Sequence, residues 1–349
     1  MRSSPTASTA SRRGVTRVEF VVFGSLICLW AALVVPFVWE GREFSRNKQC
    51  SANLRRIGMA LHNYHDANGM FPAGAQSWSK FPNLQVSANV TLIYFFDFGM
   101  VWRPPIREWH QDDPSRVSRF DPVHSCPSNG VQTTTDPFLG SMRKPPGGVF
   151  GVGSYLYCKG AGDAWCNDPT SIPAHLRGAF DVDVWNTLDD MTDGTSQTIF
   201  VGEGATGSSW GICSAVGCTE PLRNPATGSW SVRHQPWAVP FINTDGDLKR
   251  AGPRASQFGS TLEPLNKDPV TDTMIDCTAL TDCRSSTDGG PHRTSNFRSN
   301  HKGGANFLFA DGAVRFVSED IEMPLYRGLS TIGGGENVVA DTPPATNPF

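Results

Sequence analysis

Cysteine is the residue type with the most evident chemistry in this 349-residue chain, which contains nine. Cys28 lies in a long apolar run, and the other eight follow it as disulfide candidates: Cys50, Cys126, Cys158, Cys166, Cys213, Cys218, Cys277 and Cys283. An even number outside the cytosol is typical of disulfide bonding, although sequence alone does not fix the pairing. Short separations suggest three local bonds and leave one long-range bond: Cys158–Cys166, Cys213–Cys218, Cys277–Cys283 and Cys50–Cys126. A zinc site is the alternative, but the chain lacks the Cys-x-x-Cys pair that structural zinc sites favour.

A second chemically capable pair lies near the C-terminus, where His301 is followed by Asp311-Gly312. Asp-Gly between two apolar runs is a strong signal for a two-residue hairpin turn, because both turn positions need positive φ. We expect His301 to hydrogen-bond a backbone carbonyl and so fix the entry to this hairpin. A metal-binding or catalytic pair of His301 and Asp311 is the alternative.

The two-residue turn also predicts which side chains share a face of the hairpin. It pairs Phe309 with Val314 and Phe307 with Phe316 on one face, and one of the two faces is expected to pack inward. Leu308 and Arg315 then lie on the opposite face.

Two glycine-containing motifs resemble catalytic or cofactor-binding sequences. Residues 202–207 match the dinucleotide fingerprint, and Ser209 lies in a match to a nucleophile elbow. Both motifs require a helix directly after the glycines, and residues 208–219 have no apolar helical period. We therefore expect no enzyme activity from either.

Metal ligands are only partly present elsewhere. Residues 243–247 and the pair Asp181 and Asp183 resemble pieces of calcium loops, but neither supplies a full ligand set. His62 and His65 are three apart on a predicted helix, where surface roles are the simpler explanation. The metal ligands are therefore unknown, and a structural calcium ion is the one cofactor we consider.

Composition limits the remaining functions. The formal net charge is -3, and no basic tract follows the N-terminal leader, so we predict no nucleic-acid binding. Glycine (35) and proline (26) exceed average usage, which favours a turn-rich domain built from strands.

The elements that would position these residues begin with an apolar run. No residue from Phe20 to Trp39 is charged, and a helix of this length spans about 30 Å, the hydrocarbon thickness of a bilayer. Arg12, Arg13 and Arg17 precede it, which predicts an N-terminus inside and a C-terminus outside. A cleaved secretory signal is the alternative, but the run is longer than a signal core and no small-x-small site follows.

An amphipathic helix continues from this run. Its apolar residues recur at spacings of four, three, four and three: Cys50, Leu54, Ile57, Leu61 and Tyr64. Asn68-Gly69 is a plausible helix end. Residues 86–96, 149–159, 198–201 and 237–242 are strand candidates, and 321–329 is a short helix candidate interrupted by Pro324.

The start of the chain, Arg12-Arg13-Gly14-Val15-Thr16-Arg17-Val18-Glu19, resembles a type IV prepilin leader. The resemblance implies that a prepilin peptidase cuts between Gly14 and Val15 and that the new N-terminus is methylated. It also implies that Glu19 neutralises the terminal amine of a neighbouring subunit during assembly. The alternative is that Glu19 pairs with Arg17 or Arg13 at the membrane surface.

Four further motifs resemble a bacterial family of prepilin-like proteins catalogued as domain of unknown function 1559. They run in order from Cys50-Ser-Ala-Asn53 to Phe71-Pro72, then Cys126-Pro127-Ser128, then 193–199 with Gly202-Glu203, then His301 with Asp311-Gly312. The resemblance implies a pilin-like architecture and an envelope location, and it carries little information on chemistry because no molecular activity is established for that family.

Together these observations predict an α+β, pilin-like fold in which one long N-terminal helix packs on an antiparallel, β-rich and loop-rich ectodomain. The expected segments are a leader 1–14, a transmembrane helix 15–40, an amphipathic helix 41–69, a β-rich globular ectodomain 70–336 and a disordered tail 337–349. The predicted function is a pilin- or pseudopilin-like subunit that spans the inner membrane once, with its ectodomain periplasmic or extracellular. Its expected partners are the membrane, a prepilin peptidase and like or related pilin subunits. The alternative is a membrane-anchored extracytoplasmic binding module that does not polymerise.

Overall fold

A computed structural model describes the chain in two units, residues 1–45 and 46–349. The described residues are 16–76, 86–96, 118, 121–131, 133–134, 149–166, 168–223, 228, 232–233, 235–238, 241–242, 254–255, 257–271, 279 and 281–334. The predicted leader 1–14, with Gly14, and the tail 337–349 lie outside them, as do Val15, Cys277 and residues 243–247.

Three α-helices and fourteen strands are assigned within these residues. The helices are α1 (Arg17–Asn68), α2 (Ala88–Leu92) and α3 (Met323–Gly328). The strands are β1 (Ala75–Gln76), β2 (Val86–Ser87), β3 (Thr133–Thr134), β4 (Phe150–Gly151), β5 (Tyr155–Gly160), β6 (Ile199–Glu203), β7 (Gly207–Cys213), β8 (Val232–Arg233), β9 (Phe241–Ile242), β10 (Arg254–Ala255), β11 (Phe258–Ser260), β12 (Val270–Thr271), β13 (Gly304–Phe309) and β14 (Val314–Ser318). Short 3-10 turns connect several of them, including Pro127–Asn129. This is the predicted α+β fold, with one long N-terminal helix and a strand-rich remainder.

Helix α1 begins with a reciprocal cap. The Thr16 N–H donates to Glu19 Oε2 at 2.8 Å, and the Glu19 N–H donates to Thr16 Oγ1 at 3.3 Å. This capping box satisfies backbone donors that a helix start leaves unpaired. By length and composition, α1 includes a segment apolar enough to cross a membrane.

The second half of α1 forms part of the core of the larger unit. Cys50, Leu54, Ile57 and Leu61 are fully buried, and this confirms the predicted apolar stripe. At Gly58 a Cβ atom would lie 2.8 Å from Leu308 Cδ1, so glycine allows the helix to approach strand β13 closely. The helix ends where predicted, with Gly69 at a φ of +73°.

The main sheet has five strands in the order β11-β5-β6-β13-β14. Pairings from β5 to β14 are antiparallel, and the edge strand β11 pairs with β5 in parallel. A three-stranded sheet, β12-β7-β8, and three two-stranded ribbons, β1-β2, β3-β4 and β9-β10, complete the assignments. In this sheet the C-terminal end of β6 lies beside the start of β13, and the candidate site described below forms there.

The C-terminal hairpin forms where predicted, but its register was predicted wrongly. The turn contains three residues, since the Phe309 N–H donates to Ala313 O at 2.9 Å and Gly312 adopts a φ of +81°. A three-residue loop with a left-handed glycine shifts the pairing by one residue relative to a two-residue turn. Phe307 therefore lies opposite Arg315, and Leu308 lies opposite Val314.

The observed register buries both faces of β13 instead of one. Leu308 packs in the core cluster that contains the α1 stripe. Phe307 and Phe309 point to the other face and pack in a second cluster with Tyr326 of α3. Phe316, which the two-residue turn paired with Phe307, is 40% exposed.

Other strand predictions met with mixed outcomes. Residues 86–96 form a strand only at Val86–Ser87, because Ser87 caps α2 by accepting the Val90 N–H at 3.3 Å. Residues 149–159 divide into β4 and β5, and 198–201 correspond to β6. Within the described part of 237–242, which omits 239–240, strand is assigned at Phe241–Ile242 and not at 237–238. Pro324 lies in the first turn of α3, where a missing N–H costs nothing, so it does not interrupt the helix.

Candidate functional site

A buried carboxylate and a buried imidazole meet at one end of the main sheet. Glu203 is the last residue of β6, and His301 lies in the turn before β13. Because these strands are antiparallel neighbours, the end of one lies beside the start of the other. His301 Nε2 is 3.2 Å from Glu203 Oε1, and the side chains are 1% and 2% exposed.

Glu203 has further hydrogen-bond partners. The Ser299 hydroxyl donates to Oε2 at 2.8 Å, and the Asn306 N–H donates to the same oxygen at 2.9 Å. The Asn306 side-chain amide donates to Oε1 at 3.1 Å. A buried carboxylate loses its hydration, and these donors together with His301 offset that loss.

The carboxylate also affects a neighbouring tyrosine. Burial and then the negative charge of Glu203 raise the pKa of Tyr155 well above its usual value. The phenol therefore stays protonated, and its O–H donates to the carbonyl oxygen of Cys50 at 3.3 Å.

A disulfide bond lies against this pair. Cys50 of α1 is bonded to Cys126, which precedes the 3-10 turn Pro127–Asn129, as the sequence suggested. Cys126 Sγ is 3.6 Å from His301 Nε2. From the same helix, the Asn53 amide donates to the carbonyl oxygens of Pro122 and Ser125, at 2.8 and 3.2 Å. The helix is therefore fixed covalently and by hydrogen bonds to the segment around Cys126.

We call Cys50, Cys126, Glu203 and His301 the junction. One potential metal-ligand atom from each of these four buried residues lies within 4.8 Å of the others. A small cavity adjoins them, lined by Cys126, Asn129, Ser154, Glu203, Ala205, Ser299 and Asn300. The Ser154 hydroxyl is buried and has no hydrogen-bond partner among the described residues.

The junction unites residues from separate sequence motifs. Each of its members belongs to a different motif of the four that resembled the family. A model of the family described as Protein of unknown function (DUF1559) matches residues 40–324, and therefore covers the whole junction.

The chain belongs to the DUF1559 family. No curated protein and no solved structure matches it. Family membership and the N-terminal apolar helix together fit a membrane-anchored surface protein. A signal sequence near the N-terminus meets the same length and composition criteria, so the helix fits either a membrane anchor or a signal sequence.

Sequence reasoning found part of the junction in this DUF1559 protein. It singled out Cys50, Cys126 and His301, but assigned no site role to Glu203, although the family motif Gly202-Glu203 contains it. It expected His301 to bond a backbone carbonyl, whereas the structure places the ring against Glu203. Asp311 does not join them, since β13 separates it from His301 by about 20 Å at ~3.3 Å per residue.

Asp311 and Gly312 instead build the hairpin turn. Asp311 Oδ1 accepts the Ala313 N–H at 2.9 Å, and Asp311 Oδ2 accepts a hydrogen bond from Arg315 at 3.0 Å. The alternative of a His301–Asp311 metal or catalytic pair is therefore contradicted by geometry.

The remaining cysteines correct two predicted bonds. Cys213 pairs with Cys218 as suggested, but Cys166 pairs with Cys283 and not with Cys158. Cys158 lies on β5 with its side chain in the core, away from the loop that carries Cys166. It is a free thiol whose pKa burial raises to about 12. The Cys166–Cys283 bond also rules out the predicted Cys277–Cys283 pair.

The other motifs occupy ordinary structural positions. The chain after Glu203 continues as strand β7, which contains Ser209, so the helix that the two glycine motifs require does not follow. Asp181 forms a buried ion pair with Lys159. His62 and His65 pack their rings on Phe71, with centroids 5.7 and 4.7 Å away.

Removing the Cys50–Cys126 bond should destabilise the protein more than removing Cys213–Cys218. The two bonds join residues separated by 76 and 5 positions. From loop-closure entropy, the longer bond should contribute about 4.5 kcal/mol to the free energy of unfolding and the shorter bond about 2 kcal/mol. Urea unfolding of the detergent-solubilised double-serine variants, followed by tryptophan fluorescence, measures the difference. Equal losses would contradict the role given to the longer bond.

His301→Ala should lower the free energy of unfolding by about 3–5 kcal/mol, because it leaves the Glu203 carboxylate buried without its ring partner. Lys302→Ala changes the exposed neighbouring residue and serves as the matched control, with an effect within about 0.5 kcal/mol.

Adding Glu203→Gln to His301→Ala should recover part of the loss, because a neutral amide needs no ionic partner. The same urea experiment on the single and double variants gives the coupling energy. Strictly additive losses would show that the two residues do not act as a pair.

Proposed function

We propose that this DUF1559 protein is a pilin- or pseudopilin-like structural subunit of the cell envelope. In this proposal a prepilin peptidase cuts the chain after Gly14, and the N-terminal helix inserts in the inner membrane with the ectodomain outside. Like or related pilin subunits are its assembly partners. The ectodomain is then a structural domain and not an enzyme.

The observation that carries the proposal is the surface of α1 in the first unit. Its large apolar side chains between Val18 and Trp39 are exposed, several by more than two thirds: Val18, Phe20, Phe23, Trp30, Phe37 and Trp39. Exposed apolar surface of this extent is stable in a bilayer or against other helices. The same helix can therefore be stored in the membrane and later pack in a helical assembly.

Glu19 suits assembly because of its position and its contacts. It is the acidic residue in the first turn of α1, directly before the apolar run. The Thr16 N–H and the Thr16 hydroxyl both donate to Glu19 Oε2, at 2.8 and 3.0 Å. A carboxylate accepts about four hydrogen bonds in total, so Glu19 retains acceptor capacity for the amine of another subunit.

The same cap supports a second candidate, a membrane-anchored binding module that does not polymerise. Thr16 already stabilises the Glu19 carboxylate within one chain, so insertion of a single copy needs no neighbouring subunit. In this candidate the loops of the ectodomain recognise an extracellular protein or glycan.

The mature wild-type chain should begin at a methylated Val15 in a host that has a prepilin peptidase, because the leader ends in Gly14. Intact mass measurement of the membrane-extracted protein checks this directly. Gly14→Leu should retain Met1, since a bulky residue replaces the glycine at the cleavage position. Ser11→Leu, a similar change three residues earlier, should be processed normally. A wild-type chain that keeps its leader would contradict the pilin-like proposal.

The variant Glu19→Gln then separates the two candidates, because glutamine can keep the Thr16 cap but removes the charge. The pilin-like candidate predicts normal insertion and loss of cross-linked oligomers from intact cells. The anchored-module candidate predicts the same monomeric cross-linking pattern for both chains.

A further inference from the structure

The junction contains the donor set of a transition-metal site, although two of its donors are joined as a disulfide. A thiolate pair, an imidazole and a carboxylate are ligands that zinc prefers, whereas calcium and magnesium prefer oxygen alone. All four residues are buried, and they come from four separate parts of the chain. Ordinary packing of a disulfide requires neither the imidazole nor the carboxylate beside it.

The distances fit one shared ion. Zinc lies about 2.0–2.3 Å from nitrogen, oxygen and sulfur ligands, so neighbouring donors of a tetrahedral site are about 3.3–3.8 Å apart. His301 Nε2 is 3.2 Å from Glu203 Oε1 and 3.6 Å from Cys126 Sγ. The Nε2–Sγ separation lies in this range and the Nε2–Oε1 separation just below it, all four donor atoms lie within 4.8 Å of one another, and the two sulfur atoms must move apart once their bond is broken.

The surroundings of the donors also resemble those of a metal site. Ser299 and the Asn306 N–H hold Glu203 Oε2 by hydrogen bonds, while Oε1 lies beside His301 and accepts the Asn306 side-chain amide. In metal sites, hydrogen bonds from neighbouring residues orient the metal-binding carboxylates in this way. The unpartnered Ser154 hydroxyl lines the same cavity as Cys126 and Glu203, where it can donate to a thiolate, a stronger acceptor than a disulfide sulfur.

We propose that the reduced junction binds one zinc ion through Cys50, Cys126, Glu203 and His301, and that formation of the Cys50–Cys126 disulfide releases it. A dithiol reductant supplies two electrons, breaks the S–S bond and becomes a disulfide itself. Zinc then displaces the two thiol protons. In the reverse direction a disulfide oxidant accepts two electrons from the thiolates, the S–S bond forms again and zinc leaves.

The consequence is that α1 can be joined to the segment around Cys126 in two ways. A chain that has not yet been oxidised would hold the helix through zinc, and an oxidised chain holds it covalently. This inference depends on the junction alone and not on the pilin-like function.

The test compares oxidised and reduced forms of the full-length chain in detergent. The reduced form is prepared anaerobically with a phosphine in mild denaturant, its thiols are counted, and it is refolded with zinc or with cobalt(II). We expect about one more bound zinc per chain than in the oxidised form, and intense tetrahedral cobalt absorption with thiolate charge-transfer bands. Adding diamide should release that zinc and restore the Cys50–Cys126 peptide in a non-reducing map.

Variants assign the binding to the junction. His301→Ala, which keeps every thiol, should weaken zinc binding at least tenfold. The double variant Cys213→Ser, Cys218→Ser also removes two thiols but should bind zinc as tightly as the wild type. Equal zinc content in oxidised and reduced chains, or unchanged zinc affinity in His301→Ala, would overturn the proposal.

Discussion

The burial of one helical stripe determines how the larger unit is built. Cys50, Leu54, Ile57 and Leu61 have no exposed surface, so this part of α1 is a core element of the strand-rich domain. Fully burying such aliphatic side chains contributes about 1.5–3 kcal/mol each. The close approach at Gly58 brings the helix against Leu308 of β13, an interior strand of the main sheet. A helix that also carries a membrane-length apolar segment is thereby an integral part of the strand-rich domain.

The junction fixes the position of α1 on the sheet, which apolar packing alone does not. Apolar packing alone tolerates sliding of a helix along a sheet, because the hydrophobic effect is not directional. The Cys50–Cys126 bond and the Asn53 hydrogen bonds fix the position of α1 along the sheet. The Glu203–His301 pair holds the C-terminal end of β6 beside the start of β13, next to that bond. A subunit that transmits force or position from its helix to its ectodomain would need such a fixed register, and this links the junction to the proposed function.

How well each feature could be predicted depended on how far apart in sequence the interacting residues lie. The helix stripe was predictable because a periodicity of 3.6 residues is local. The Cys50–Cys126 bond followed from elimination, but Cys166–Cys283 was missed because it joins two distant loops and Cys158 was the nearer partner in sequence. The hairpin was located correctly, yet its register depended on one extra turn residue. Glu203 was overlooked because a buried acid at a strand end has no local pattern, and only the family motif around Gly202 contained it.

Native-state hydrogen exchange on the detergent-solubilised chain tests the central claim that α1 is a core element of the domain. If the stripe and the sheet form one cooperative unit, the amides of residues 54–61 should open with the same free energy as those of β6 and β13. Opening of residues 54–61 at a clearly lower free energy, while β6 and β13 stay protected, would contradict the account.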